Sequence, residues 1–104
     1  MLNDVLHALA DPTRRILVER LTHGPASVSE LATALPMSLP AVMQHLAVLD
    51  EAGLTVSEKR GRVRWRRLKA EPLAAAEAWI SDRRRLWNAR LDALERHLKS
   101  DTGG

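Results

Sequence analysis

Apolar residues recur at helical spacing in two short runs between Ser27 and Leu54, and a proline separates the runs. Ser27 and Glu30 occupy the positions of a capping box, which predicts the start of a helix at the first run. Pro36 ends that helix because proline lacks a backbone N–H and disfavours helix at the residue before it. The apolar positions that predict the buried faces are Val28, Leu31, Ala32 and Leu35, and then Val42, Leu46 and Leu49.

The second run predicts a helix that begins after Ser38, a good N-cap residue, and ends before Gly53. Its outward face carries no charge, whereas a solvated helix face usually carries Lys and Glu. Glutamine can pair with adenine in the major groove, and apolar groups can contact the thymine methyl. The candidate DNA-reading residues are Ser38, Leu39, Pro40, Ala41, Met43, Gln44 and Ala47.

Two short helices with a base-reading second helix form the helix-turn-helix arrangement. The same pattern also fits an ordinary helical hairpin packed on both sides, with Met43 in a core. This stretch by itself favours neither interpretation.

The chain before Ser27 predicts two more helices. Residues 3–10 form the first, and Asp11 with Pro12 supplies an N-cap and a first helical residue for the second, which extends to about His23. Ile16, Leu17 and Leu21 are the predicted buried residues of the second helix. Arg14 and Arg15 lie in its first turn, where the helix dipole disfavours cations; solvated arginines are favoured over contacts with a phosphate or an acidic neighbour.

A strict alternation from Arg62 to Arg66 predicts a half-buried strand, and the preceding residues from Leu54 predict its partner. Arg60 and Gly61 are the predicted two-residue turn. Val56 and Trp65 are expected to pair on the core face, with Arg62, Arg64 and Arg66 on the opposite face. The candidate phosphate and minor-groove contacts of this hairpin are Lys59, Arg60, Gly61, Arg62 and Arg64.

The last predicted helix opens at Glu71 and Pro72 and extends to about Lys99, with a long apolar stripe. Because the first helix also presents an apolar face, we expect both terminal helices to form a homodimer interface rather than to pack only within one chain. The predicted interface residues are Leu2, Val5, Leu6, Leu9, Ile80, Trp87, Leu91, Leu94 and Leu98. Residues 1–99 are expected to form one domain, and residues 100–104 a flexible tail.

The positive charge is concentrated in the predicted hairpin. Residues 54–69 carry seven basic and one acidic side chain, whereas the whole chain of 104 residues has a net charge of only +3. A local positive patch of this kind is typical of a protein that binds a polyanion. No apolar run reaches the roughly 20 residues of a membrane span, and the acidic, short N-terminal segment is unlike a signal peptide. A cytoplasmic protein without membrane association is expected.

Four segments, in this order and spacing, resemble the ArsR family of winged helix-turn-helix transcriptional regulators: residues 9–17, 29–32, 39–54 and 60–68. The resemblance implies a mainly α fold with a small β-hairpin, in the order α1-α2-α3-α4-β-β-α5. It also implies a homodimeric repressor that binds an inverted-repeat operator in double-stranded DNA through α4 and the hairpin, with the first and last helices as dimer interface. The last helix is similar to those of a subgroup without metal-sensing sites.

Known metal sites of the family find no match here. One of the family's metal sites uses a pair of cysteines, whose positions fall near residues 28–31 here. The chain contains no cysteine. Asp82, Asp92 and His97 lack the spacing of the other site, and no two histidines stand at i, i+4. No metal or other cofactor is therefore expected, and no inducer is identified.

Three other functions are alternatives to a repressor. The first is a winged helix that binds an acidic protein, and the second is a metal-responsive repressor with an atypical site using His7 or His97. The third is an enzyme, which the sequence argues against. It has no nucleophile motif, and Asp50 and Glu51 are neighbours that diverge on a helix.

Overall fold

The computed structural model describes residues 2–102, with side-chain surroundings for residues 2–100. It is a mainly helical winged helix-turn-helix, as the sequence predicts. Residues 100–102 of the predicted tail belong to the last helix, and residues 103 and 104 lie outside the described residues. The elements are α1 (Leu2–Leu9), α2 (Pro12–Thr22), β1 (Ala26–Ser27), α3 (Val28–Thr33), α4 (Leu39–Glu51), β2 (Thr55–Arg60), β3 (Val63–Leu68) and α5 (Glu71–Thr102).

The core lies where the first four helices meet the sheet. The predicted inward stripe of α4 is fully buried, with Val42, Leu46 and Leu49 each 0% exposed. The prediction for Ile16 is wrong, because its side chain is 53% exposed and the neighbouring Val18 is buried instead. Leu17 and Leu21 are buried as predicted. Position 16 therefore lies on the outer face of α2.

Local capping defines both ends of α4. Ser38 Oγ accepts from the Ala41 N–H at 3.3 Å, which satisfies one of the free donors of the first turn. Gly53 has φ +76°, and the N–H groups of Gly53 and Leu54 donate to Asp50 and Leu49 carbonyls at 3.0 Å. This pair of bonds is the Schellman arrangement, which requires the left-handed conformation that glycine adopts without strain.

The sheet has three antiparallel strands in the order β1-β3-β2, one more than the predicted hairpin. Arg60 pairs with Val63, so the two-residue turn is Gly61 and Arg62 rather than Arg60 and Gly61. Gly61 has φ +64°. A positive φ at only the first turn residue is the type II′ geometry that suits the twist of a hairpin.

This one-residue difference in the turn changes the pairing across the hairpin. Trp65 lies opposite Glu58, and Val56 lies opposite Arg67, so the predicted pair of Val56 and Trp65 is wrong. The register of a hairpin follows from its turn, so moving the turn by one residue shifts every cross-strand pair by two residues.

The expectation of solvated arginines is wrong for Arg14, which is half-buried, whereas Arg15 is exposed; both side chains also donate hydrogen bonds to α1. Arg14 Nε donates to the Ala8 carbonyl at 2.7 Å and Arg14 Nη2 to the His7 carbonyl at 3.0 Å. Arg15 Nη1 donates to the Leu9 carbonyl at 2.8 Å. These carbonyls belong to the last turn of α1, where unpaired acceptors and the helix dipole favour cations. The two arginines of α2 therefore cap α1.

Asp11 caps α2 and accepts from the backbone N–H groups of Thr13 at 2.8 Å and Arg14 at 3.1 Å. The hydrogen bond from the Arg14 N–H lowers the pKa of Asp11 below its ordinary value of 3.8; burial opposes this shift, while Thr13, His45 and the Arg14 charge add to it. A lowered pKa in the folded state stabilises the protein above the unfolded-state pKa, and this contribution is lost as the pH falls through the folded-state value.

We therefore expect Asp11→Asn, which keeps a capping side chain without the charge, to be less stable than the wild type at pH 5. The difference in unfolding free energy should shrink as the pH is lowered below about 4. Urea denaturation of both proteins at pH 5 and pH 3 measures it. A difference that is the same at both pH values would contradict the assignment.

The long helix α5 leaves the domain at one end. Its first turns contact α1, with Ala76 buried and Leu73 partly buried against the core. Beyond Ser81 every side chain up to residue 100 is exposed, and the protein measures 75 × 26 × 22 Å. No helix within residues 2–102 combines the length and apolarity needed to cross a membrane.

Candidate nucleic-acid interface

The outward face of α4 is an exposed, uncharged surface. Leu39 is 52% and Met43 38% exposed, so the interpretation that places Met43 in a core is wrong. Gln44 is exposed beside Met43, and Ala41 is half-buried at the edge of the face. The remaining predicted members of this face, Ser38, Pro40 and Ala47, are also exposed.

The helix beneath this surface is firmly held. The buried side chains of Val42, Leu46 and Leu49 anchor α4 to the core, and Ser38 fixes its first turn. His45 lies on the inner side, where its Nδ1 is 3.5 Å from Arg14 Nη1 and 4.0 Å from Asp11 Oδ1. His45 therefore contributes to the packing of α4 against the start of α2. The exposed face of α4 is therefore presented by a rigid support.

The tip of the β2–β3 hairpin carries exposed cations. Lys59, Arg62 and Arg64 are exposed and form no ion pair with any residue that the structure describes. Arg60 and Arg67 differ, because each lies 3.4 Å from a carboxylate oxygen of Glu58. The strongest uncompensated positive charge of the hairpin is thus at its tip.

Arg66 does not share the exposed face predicted for it. Its side chain is only 7% exposed, Nη1 donates to Ser57 Oγ at 2.8 Å, and Nη2 lies 3.3 Å from Asp50 Oδ2. Nε is buried and has no hydrogen-bond partner among residues 2–102. The prediction of three arginines on one solvent face is therefore wrong, since Arg62 lies in the turn and Arg66 in the interior.

Two sequence features indicate this buried arginine in retrospect. Leu68 packs against the core, and Arg66 shares its face because side chains alternate along a strand. Asp50 stands in the last turn of α4, where the helix dipole disfavours a carboxylate, so a nearby cation is expected. By contrast, the two-residue strand β1 has no recognisable pattern of its own.

A long apolar stripe on α5 is exposed in the single chain. It continues the row formed by Leu73 and Ala76 toward the far end of the helix. Among the other predicted interface residues, Val5 is 2% exposed and packs inside its own protomer, Leu6 is 39% exposed, and Leu2 and Leu9 are half-buried. The exposed members on α5 are Ile80 (51%), Trp87 (60%), Leu91 (44%), Leu94 (54%) and Leu98 (54%).

The histidines do not form a metal site with other side chains. Within the described part of the chain, no three His, Asp or Glu side chains lie close enough together to hold a metal ion. His23 lies 3.9 Å from Glu19 on the surface of α2, and His45 contacts Arg14.

An exposed helix supported by a second short helix, followed by a basic hairpin, defines a winged helix-turn-helix DNA-binding protein. Residues 9–58 match the profile of a family described as a helix-turn-helix domain. The chain is 45% identical over 94 residues to the HTH-type transcriptional regulator Rv2034 of Mycobacterium tuberculosis, a match that covers 90% of this chain and 85% of that protein. It is 36% identical to the arsenical resistance operon repressor of Escherichia coli over 91 residues, or 86% of this chain and 78% of that repressor.

Solved structures give the same result. An ArsR-like transcriptional regulator from Rhodococcus sp. RHA1 superposes with a TM-score of 0.86 at 33% identity, covering 95% of this chain and 91% of that one. A crystal structure of an ArsR family transcriptional regulator has a TM-score of 0.78 at 46% identity, with coverage of 84% and 90%. The protein belongs to the ArsR family of DNA-binding transcriptional regulators, which are not enzymes.

Proposed function

We propose that the protein is a homodimeric repressor that binds an inverted-repeat operator, with α4 in the major groove and the β2–β3 hairpin, the wing, on the flanking backbone and minor groove. The observation that carries this proposal is the uncharged, exposed face of α4, followed directly by a hairpin whose tip carries uncompensated cations. The two surfaces have the chemistry of the two kinds of contact that specific DNA binding requires.

The face of α4 suits base edges. Gln44 supplies a donor and an acceptor that match adenine N7 and N6, while Leu39, Pro40 and Met43 suit the thymine methyl. Ser38 and Ala41 lie at the N-terminus of the helix, where backbone N–H groups and the dipole favour a phosphate. Ala47 is small enough to let the next turn approach the groove.

The wing suits the phosphate backbone. Lys59, Arg60, Arg62 and Arg64 surround Gly61 at or near the turn, and long flexible cations can follow phosphates without reading sequence. Because each neutralised phosphate releases counterions, these residues account for affinity and its salt dependence rather than for specificity.

The exposed stripe of α5 supports a dimer. A row of five large apolar side chains along one helix face, about half exposed each, is unusual on a monomer and marks an interaction surface. Because each side chain is already about half buried, completing its burial against a second copy contributes roughly 0.8–1.5 kcal/mol, half of the value for a fully exposed side chain. A two-fold axis then places two α4 helices about 34 Å apart, one turn of DNA, which is the spacing of an inverted repeat.

Substitutions in the two surfaces should have different effects on DNA binding. Arg62→Ala is expected to weaken binding to all duplexes alike and to reduce the salt slope by about 0.9, one phosphate contact. Gln44→Ala is expected to cost about 1–3 kcal/mol on the operator only and to relax sequence preference.

Fluorescence anisotropy with operator and scrambled duplexes at several salt concentrations measures both effects. Glu95→Gln, on the exposed distal part of α5, is the matched control and should change neither quantity. Identical behaviour of Arg62→Ala and Gln44→Ala would refute the division of roles. Absence of salt-dependent duplex binding by the wild type would refute the proposed function itself.

A further inference from the structure

The last turn of α4 carries a carboxylate that contacts both strands of the wing. Asp50 Oδ1 accepts a hydrogen bond from Thr55 Oγ1 of β2, and Asp50 Oδ2 lies 3.3 Å from Arg66 Nη2 of β3. A carboxylate at this end of a helix is opposed by the helix dipole. Contacts with the wing offset that local cost. The presence of a carboxylate at position 50 is therefore explained by its tertiary contacts and not by the needs of the helix.

Arg66 lies in the middle of the sheet, where it faces Ser57 on one side and Ala26 on the other. Its guanidinium is buried between β2 and α4, with bonds to Ser57 and Asp50. Tilting or sliding the wing relative to α4 would separate this ion pair and leave a buried charge without a partner, which is strongly unfavourable. The pair therefore fixes one orientation of the wing.

We propose that Asp50 and Arg66 are positioning residues that hold the wing where its tip contacts DNA phosphates while α4 occupies the major groove. Neither residue contacts DNA, since Arg66 is buried and Asp50 is engaged by the wing. Two linked contact surfaces strengthen each other only when the geometry lets both bind at once. This inference rests on the proposed function and adds the residues that couple its two surfaces.

The test is a double-mutant cycle on operator affinity between Arg66→Met and Arg62→Ala. Arg62 in the turn and Arg66 in β3 are four residues apart, about 13 Å along an extended chain, so independent effects would add. If Arg66 positions the wing, Arg66→Met should weaken operator binding about tenfold or more and lower the salt slope. Arg62→Ala should then have little further effect, because the displaced tip no longer reaches the phosphates.

Arg67→Met is the matched control, because it makes the same substitution at the next residue, which is exposed and paired with Glu58. In that background Arg62→Ala should keep its full effect. Asp50→Asn provides a second way to break the ion pair while keeping an acceptor for Thr55, in case Arg66→Met does not fold. It should show the same non-additivity with Arg62→Ala. All affinities are measured at temperatures where circular dichroism shows each variant to be folded.

A purely structural role predicts a different result. Folded Arg66→Met would then have a lower melting temperature but an unchanged operator affinity and salt slope, and this outcome would overturn the proposal. Additive effects of Arg66→Met and Arg62→Ala would also overturn it. Failure of the wild type to bind duplex DNA would instead refute the proposed function, so the two failures are distinguishable.

Discussion

Leu94→Glu is expected to convert the proposed dimer into a monomer. Leu94 is 54% exposed between Leu91 and Leu98 of the α5 stripe, and a buried, unpaired carboxylate within an apolar interface is strongly unfavourable. A monomer can occupy only one half-site, so operator affinity should fall by about 100-fold or more through the loss of bivalent binding. Sedimentation equilibrium measures the first effect and anisotropy titration the second.

Ala89→Glu is the control for this substitution. Ala89 is exposed about half a helical turn away from the stripe, so the same new charge should leave the assembly and operator binding unchanged. If Leu94→Glu remained dimeric, the α5 stripe would not form the interface. If it became monomeric yet bound the operator as tightly as wild type, two-fold recognition of an inverted repeat would be excluded.

Leu46→Ala is expected to reduce the free energy of unfolding by about 2–5 kcal/mol. Leu46 is 0% exposed on the inner face of α4, so its truncation removes buried apolar surface and leaves a cavity beneath this helix. Since small domains are stable by only about 5–15 kcal/mol, this is a large fraction of the total. Chemical denaturation measures the loss, and the slope of the unfolding free energy against denaturant concentration should be unchanged.

Met43→Ala tests the outer face of the same helix. Met43 is 38% exposed, and a surface substitution to a strong helix former should change stability by less than about 0.5 kcal/mol. Its effect should appear in DNA binding instead. A stability loss for Met43→Ala that matched that of Leu46→Ala would mean that the two faces of α4 are not distinct.

Some features of the candidate site depend only on residues that are close together in the sequence. Ser38, Pro40 and Gly53 determine where α4 begins and ends, and the apolar spacing of Val42 and Leu46 determines which face is buried. These signals act within four residues along the chain, so the buried face of α4 could be predicted from the sequence, whereas the exposure of Met43 on the opposite face was decided only by the tertiary structure. The exposed cations at the wing tip could be predicted as well, since residues 54–69 carry seven basic side chains and one acidic side chain, whereas the rest of the chain has no excess of positive charge.

Other features depend on contacts between distant segments. A turn displaced by one residue moved Arg62 into the loop, and the strand pairing placed Arg66 beside Asp50. Arg14 and Arg15 cap a helix other than their own, and β1 forms only because β3 is beside it.

The sequence by itself therefore determined the helices, their caps, the buried face of α4 and the basic hairpin. Only the tertiary structure decided which arginines face solvent and which are buried. The physical reason is that alternation along a strand determines which side chains share a face, whereas the packing of the sheet against α4 determines which of the two faces meets the core. The partner of a buried charge likewise depends on elements that only the folded chain brings together.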